Sequence, residues 1–172
     1  MMKRITRLIL CWVCLLVLPD GSALAQPVQL IEHPKQYQLY PRDGQDSCAV
    51  PVVGRVFQRG ANSASLTILK NQNIWRSFTQ DLVYSAEGIA EFTFTPKIHA
   101  ELSNHRFVLQ IDGTTVMNKT HIVCGDVIMV NGQSNAVSPG GTDYESEWVR
   151  TYGGMWQDRA ECYSDSTWSV AQ

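Results

Sequence analysis

The sequence predicts a mostly β protein, and three observations carry that expectation. Apolar residues alternate with polar ones in several short runs between residues 26 and 124. Turn dipeptides separate those runs: Asp43-Gly44, Arg59-Gly60, Glu87-Gly88 and Asp112-Gly113. No stretch of any length shows apolar residues at helical spacing. Period-two alternation marks a strand with one face buried, whereas an amphipathic helix would repeat every three to four residues. Six or seven short strands in about 100 residues suggest a sandwich, immunoglobulin-like in the broad sense.

The chain opens on a processing signal. Lys3, Arg4 and Arg7 form a basic head, Leu8 to Leu18 is an apolar run, and Ala23-Leu24-Ala25 is an A-x-A cleavage site. An apolar run of that length is too short to span a bilayer. Residues 1–25 are therefore expected to be a signal peptide, with a mature chain from Gln26 that is secreted or periplasmic. No cysteine follows a lipobox-like pattern, and no later apolar run suits a membrane span. Loss of Lys3, Arg4, Arg7 and Asp20 leaves 11 basic against 15 acidic side chains, a net charge of −4. Mild acidity without a basic stripe predicts neither a nucleic-acid partner nor an anionic membrane surface.

The strands of the 26–124 region are read in order. Leu66 and Ile68 alternate with Ser65 and Thr67. Phe92 and Phe94 alternate with Glu91, Thr93 and Thr95. Phe107, Leu109 and Ile111 alternate with Arg106, Val108 and Gln110. Further strands are expected around Val50 to Gln58, Ile74 to Tyr84 and Val116 to Val123. Trp75 reads as a core or sheet-face aromatic, with sugar stacking as the alternative. His33, His99, His105 and His121 are scattered without metal-ligand spacing and read as surface or capping histidines. No metal site is expected. Cleavage of the signal leaves Cys48, Cys124 and Cys162. Export permits disulfides, and Cys48 with Cys124 is the preferred pair, with three free thiols as the alternative.

At Gly125 the pattern changes. Val127-Ile128-Met129-Val130 is apolar at every position, as in a central parallel strand covered on both faces. Asn131-Gly132-Gln133-Ser134-Asn135 follows, then a Gly- and Trp-rich stretch to Gln172. Two readings stand. Asn131-Gly132 is a favoured hairpin turn. Alternatively, Ser134 sits at the tip of a buried strand, where open α/β sheets do their chemistry. A serine nucleophile needs a base within hydrogen-bond reach and donors aimed at the developing oxyanion. Gly132 permits a tight approach of the backbone, and Gln133 and Asn135 flank the serine. The G-x-S-x-G elbow is absent, since Ala136 stands where its second glycine would be.

The block Gly125-Asp126-Val127-Ile128-Met129-Val130-Asn131-Gly132-Gln133-Ser134-Asn135 resembles the first block of the sialate O-acetylesterase-like family. That family is a branch of the SGNH hydrolases, which remove acetyl groups from carbohydrates. Trp148-Val149-Arg150-Thr151-Tyr152-Gly153 is similar to a segment found shortly after that block. The resemblance covers residues 125–172. It implies an α/β/α hydrolase domain beginning at 125, preceded by the β-sandwich. It implies Ser134 as nucleophile, its backbone N–H in the oxyanion hole with Gly132, Gln133 and Asn135 as loop support, an acetylated carbohydrate as substrate, and no cofactor. It also implies a base in a late Asp-x-x-His motif, which these 172 residues do not contain. The expectation is therefore an N-terminal portion of a longer esterase, inactive alone. The alternative is a non-enzymatic β-sandwich module that binds carbohydrate or acts as a spacer. Arg150 reads as a partner for the carboxylate of an acidic sugar or as a surface arginine. Trp148, Trp156 and Trp168 read as sugar-stacking or core side chains.

Overall fold

A computed structural model describes residues 27–57, 59–128, 146–152 and 168–171. Its described residues are strands and loops, with no α-helix among them. Ten strands precede the change of pattern: β1 (Val28–Glu32), β2 (Leu39–Pro41), β3 (Ser47–Ala49), β4 (Val52–Val56), β5 (Ser63–Lys70), β6 (Asn73–Asp81), β7 (Ala90–Phe94), β8 (Lys97–His99), β9 (His105–Ile111) and β10 (Thr114–Gly125). The sequence predicts six or seven. The surplus lies largely in β2, β3 and β8, each three residues long and below the reach of an alternation pattern.

The strands form a three-stranded sheet, β1-β4-β7, and a five-stranded sheet, β2-β10-β9-β5-β6, with β3 and β8 as a separate pair. The alternating residues do what their spacing requires. Leu66 and Ile68 on β5, Phe92 and Phe94 on β7, and Phe107, Leu109 and Ile111 on β9 are all buried, in one cluster with Val52 and Val56 of β4. Both larger sheets thus contribute to a common core. Burying each large apolar side chain contributes about 1.5–3 kcal/mol before entropy is charged against it. Trp75 packs against this cluster from β6, with the Arg76 guanidinium 4.1 Å from its ring centroid.

A side chain joins the two larger sheets at their edges. Gln80 of β6 donates its amide N–H to the Glu91 carbonyl at 3.1 Å and accepts the Thr93 N–H at 3.0 Å. Those groups lie on β7, the edge of its sheet. The Gln80 amide thus copies one rung of a β-ladder and satisfies backbone groups of an edge that pairing leaves open.

Two hairpins use two-residue turns with both central residues at positive φ. Between β9 and β10 these are Asp112 (45°) and Gly113 (80°), and between β5 and β6 they are Asn71 (46°) and Gln72 (71°). That geometry matches the twist of the flanking strands. The Asp112 carboxylate also accepts the Asn62 and Ser63 N–H groups, at 2.9 Å for each, and ties the turn to the start of β5.

Strand β10 changes partner along its length. From Thr114 to Ile122 it pairs antiparallel with β9, and from Val123 to Gly125 it pairs parallel with β2. The register shifts between Lys119 and Ile122, and His121 there has φ 60°. This is a bulge, which re-aims the side chain it carries.

Two further strands, β11 (Ser146–Tyr152) and β12 (Trp168–Ala171), pair antiparallel in a region where the sequence predicts the start of an α/β/α domain. The expected buried strand at Val127–Val130 is corrected in its described part. Val127 and Ile128 lie outside any strand and are 58 % and 83 % exposed. A strand covered on both faces needs hydrogen-bonded neighbours, and among the described residues none pairs with 126–128.

Gly54 tests the packing between sheet backbone and core. It sits on β4 opposite Phe92, and a Cβ there would meet the Phe92 ring and stand 2.7 Å from the Gln29 carbonyl oxygen. Gly54→Ala should cost about 1–3 kcal/mol by overpacking, read as a lower midpoint in urea unfolding. Gly44→Ala, where a Cβ meets nothing within 4 Å, should leave the midpoint nearly unchanged.

Candidate functional site

Ser134, Gly132, Gln133 and Asn135 lie outside the described residues. What is described is how the β region delivers the chain to them. Gly125 ends β10, and its carbonyl accepts the Arg42 N–H at 2.9 Å. The Arg42 side chain turns the other way around the same point. Its Nε donates to Asp126 Oδ1 at 2.7 Å and a terminal nitrogen to Asp46 Oδ1 at 2.8 Å. Asp43 stiffens the loop behind it. Its carboxylate accepts the Gln45 and Ser47 N–H groups, which hold it below the usual aspartate range. The ion pairs of Arg42 are solvent-exposed and add little to stability. Their effect is to fix the direction in which the chain leaves the sheet.

Cys48 and Cys124 flank the same junction. Cys48 lies on β3 and Cys124 on β10, one residue before the clamped glycine. Both are buried thiols, and the Cys48 S–H donates to the Cys124 sulfur. The bond expected between them is not formed here, but the fold brings the expected partners together. Burial raises both thiols above their ordinary value, Cys48 the more strongly. Neither is therefore a reactive nucleophile. Cys162 lies outside the described residues.

Beside the β10 bulge a cleft of about 490 Å³ opens, lined by Asn71, Asn104, His105, Arg106, His121 and Trp148 among others. Each wall has a local cause. Asn71 belongs to the β5–β6 turn and exchanges hydrogen bonds with Asn104. Its N–H donates to the Asn104 carbonyl at 2.9 Å, and its Oδ1 accepts the Asn104 N–H at 3.0 Å. Arg106 is oriented by Asn118, which accepts its Nε–H at 2.8 Å. The bulge presents His121, whose ring stacks on Tyr37 with centroids 4.8 Å apart and whose Nδ1 lies 2.8 Å from Thr120 Oγ1. Trp148, on β11, closes the far side.

Arg150 corrects the surface reading of that residue. It is 8 % exposed, donates to Asn104 Oδ1 at 3.2 Å and to the Val149 carbonyl at 3.2 Å, and sits 5.9 Å from the Tyr37 ring centroid. It is a strut behind the cleft rather than an exposed cation. His105 corrects the surface reading of the histidines. It is 1 % exposed and tilted against Trp75 at 5.5 Å. Both ring nitrogens are sealed from solvent. Burial pushes the imidazole down to about 4, and the Ile122 backbone offsets this only in part. Sequence reasoning misses the cleft because its residues are brought together by a turn, a bulge and a late strand. The signal available was the Asn71–Asn73 cluster, whose turn character is legible. Trp168 packs on Tyr152 at 5.0 Å, and Trp156 lies outside the described residues. Among the described residues no cluster of His, Cys, Asp and Glu suits a metal ion.

Comparison with protein-family models and with curated proteins returns no match.

Two outcomes follow from buried groups. The folded chain refuses a proton at His105 until about pH 4, whereas the unfolded chain takes it near 6.5. Stability should therefore fall as pH drops through that interval, by up to about 3 kcal/mol. His105→Gln should flatten the slope of urea midpoint against pH above about pH 5.5, where the depressed carboxylates of Asp43, Asp112 and Glu101 contribute little. The second concerns oxidation. Protein produced in an oxidising compartment should carry a Cys48–Cys124 bond, found by peptide mapping without reductant, and reduction should lower stability by about 2–4 kcal/mol. Alkylation of both thiols in the unfolded, unreduced protein would contradict it.

Proposed function

We propose that this chain is part of an exported carbohydrate O-acetylesterase, with Ser134 as nucleophile and acetylated carbohydrate as substrate. On this reading residues 1–25 are a signal peptide. An immunoglobulin-like β-sandwich precedes an SGNH-type domain that starts at Gly125. The observation that carries the reading is the block Gly125–Asn135, which leaves β10 directly from a clamped junction. Gly125 and Asp126, its first two residues, are bound by Arg42. A nucleophile needs a fixed position relative to its substrate, and a junction held by backbone and side-chain bonds favours that.

In the proposed chemistry Ser134 Oγ attacks the acetyl carbonyl carbon and its proton passes to a histidine base. The oxyanion collapses to an acyl-enzyme and expels the sugar hydroxyl, which takes the proton back. Water then releases acetate and restores the serine. The Ser134 N–H would donate to the oxyanion, with Gly132, Gln133 and Asn135 shaping the loop. On this reading the base comes from an Asp-x-x-His motif, which does not occur among these 172 residues. The chemistry calls for no metal or organic cofactor.

A second reading is a carbohydrate-binding β module without catalysis. The exposure of Val127 and Ile128 favours it, because those residues do not form the covered strand that the hydrolase reading requires in this chain.

Acetate release separates the two. The isolated 172-residue chain should not hydrolyse an aryl acetate, whereas the product of the reading frame extended past the Gln172 codon should. Ser134→Ala should cut that activity by at least about a thousandfold. Turnover by the isolated chain that Ser134→Ala abolishes would contradict the assignment of the base. Turnover by the longer product that survives Ser134→Ala would contradict the nucleophile.

A further inference from the structure

The cleft beside the β10 bulge is not used by the chemistry assigned to Ser134, yet it has the features of a binding site. It is concave, and its lining mixes aromatic, amide and cationic side chains. Its walls are held from behind: Asn104 by Asn71 and Arg150, Arg106 by Asn118, and His121 by Tyr37 and Thr120. Side chains braced in this way lose little freedom when a ligand arrives. His105 lies in its wall with a nearly fully buried ring, so it shapes the cleft from behind rather than meeting a ligand.

The lining selects the ligand. A pyranose ring has an apolar C–H face and a polar rim, which suits an indole beside amides. Arg106 is a cation in the lining, and among the described residues no carboxylate lines the cleft. We propose that this cleft binds an acidic sugar residue of an oligosaccharide, with the ring face on Trp148 and the carboxylate on Arg106. A guanidinium oriented through its Nε meets a carboxylate with paired N–H donors.

The position of the cleft adds a direction. Trp148 and Leu102 also line a second cleft of about 330 Å³, which extends to Gly125 and Asp126. A chain anchored at the first cleft can therefore run past Trp148 to the start of the block that holds Ser134. The inference rests on the carbohydrate part of the proposed function and not on ester hydrolysis.

The test uses unacetylated oligosaccharides, so that binding is read without turnover. An oligogalacturonate and a neutral glucan of equal length are titrated into the full chain, with Trp indole resonances followed by NMR. The acidic oligomer should bind at least about tenfold more tightly than the neutral one. It should move the Trp148 indole N–H signal. Trp148→Ala should weaken binding of the acidic oligomer by about tenfold or more. Arg106→Gln should abolish the difference between the two oligomers while weak binding of both persists. The exposure of Arg106 keeps that variant folded. Equal affinity of the wild type for both oligomers would overturn the proposal, as would binding unaffected by Trp148→Ala, or no binding at all. Binding of the acidic oligomer by a protein whose extended form shows no esterase activity would leave this inference standing and remove the hydrolase reading.

Discussion

The structure depends on one constraint, that the twelve-residue strand β10 changes partner along its length. An unpaired backbone N–H or C=O costs about as much as a lost hydrogen bond when it is buried. Strand β10 bonds to β9 over its first part and to β2, on its other edge, over its last. The bulge that carries His121 falls where the first pairing gives way to the second. Much of what is distinctive follows from that arrangement. The bulge turns a histidine onto Tyr37 and opens the cleft. The parallel pairing with β2 brings Arg42 to Gly125, and the strand's last turnless stretch sets Cys124 against Cys48.

The physical reason for each level of legibility differs. The alternating cores of β5, β7 and β9 were readable because one buried face imposes period two on the residues themselves. The Asp112-Gly113 hairpin was readable because glycine tolerates positive φ at no cost. The equivalent turn at Asn71-Gln72 was not, since a glutamine at φ 71° is held by context: Asn71 is tied to Asn104, the loop residue just before β9. The burial of His105 was not readable either. Its neighbours in sequence are Asn104 and Arg106, and it is enclosed on β9, between β10 and β5, with Trp75 of β6 tilted against its ring. The apolar run from 127 forms no strand at Val127 and Ile128, its described part, for a related reason. Apolar residues on both faces report a need for cover, and the partners that would supply cover are not among the described residues.

The junction and the cleft give the functional reading its shape. A block resembling that of a carbohydrate esterase leaves a rigid β region through a clamp, and a braced cleft with an indole wall lies beside the exit. In the proposed reading both features serve carbohydrate, but they rest on different residues and fail separately. The serine supplies chemistry only if a base reaches it. The cleft needs no base, and its residues are already in place.

The central claim concerns the identity of one nucleophile. Its most direct measurement is reaction of the longest product of the reading frame with a fluorophosphonate, followed by mass spectrometry of the labelled peptide. The account predicts a single adduct, on Ser134 Oγ, lost when an acetylated carbohydrate competes. An adduct on another serine, or none on Ser134 in a protein that releases acetate, would contradict it.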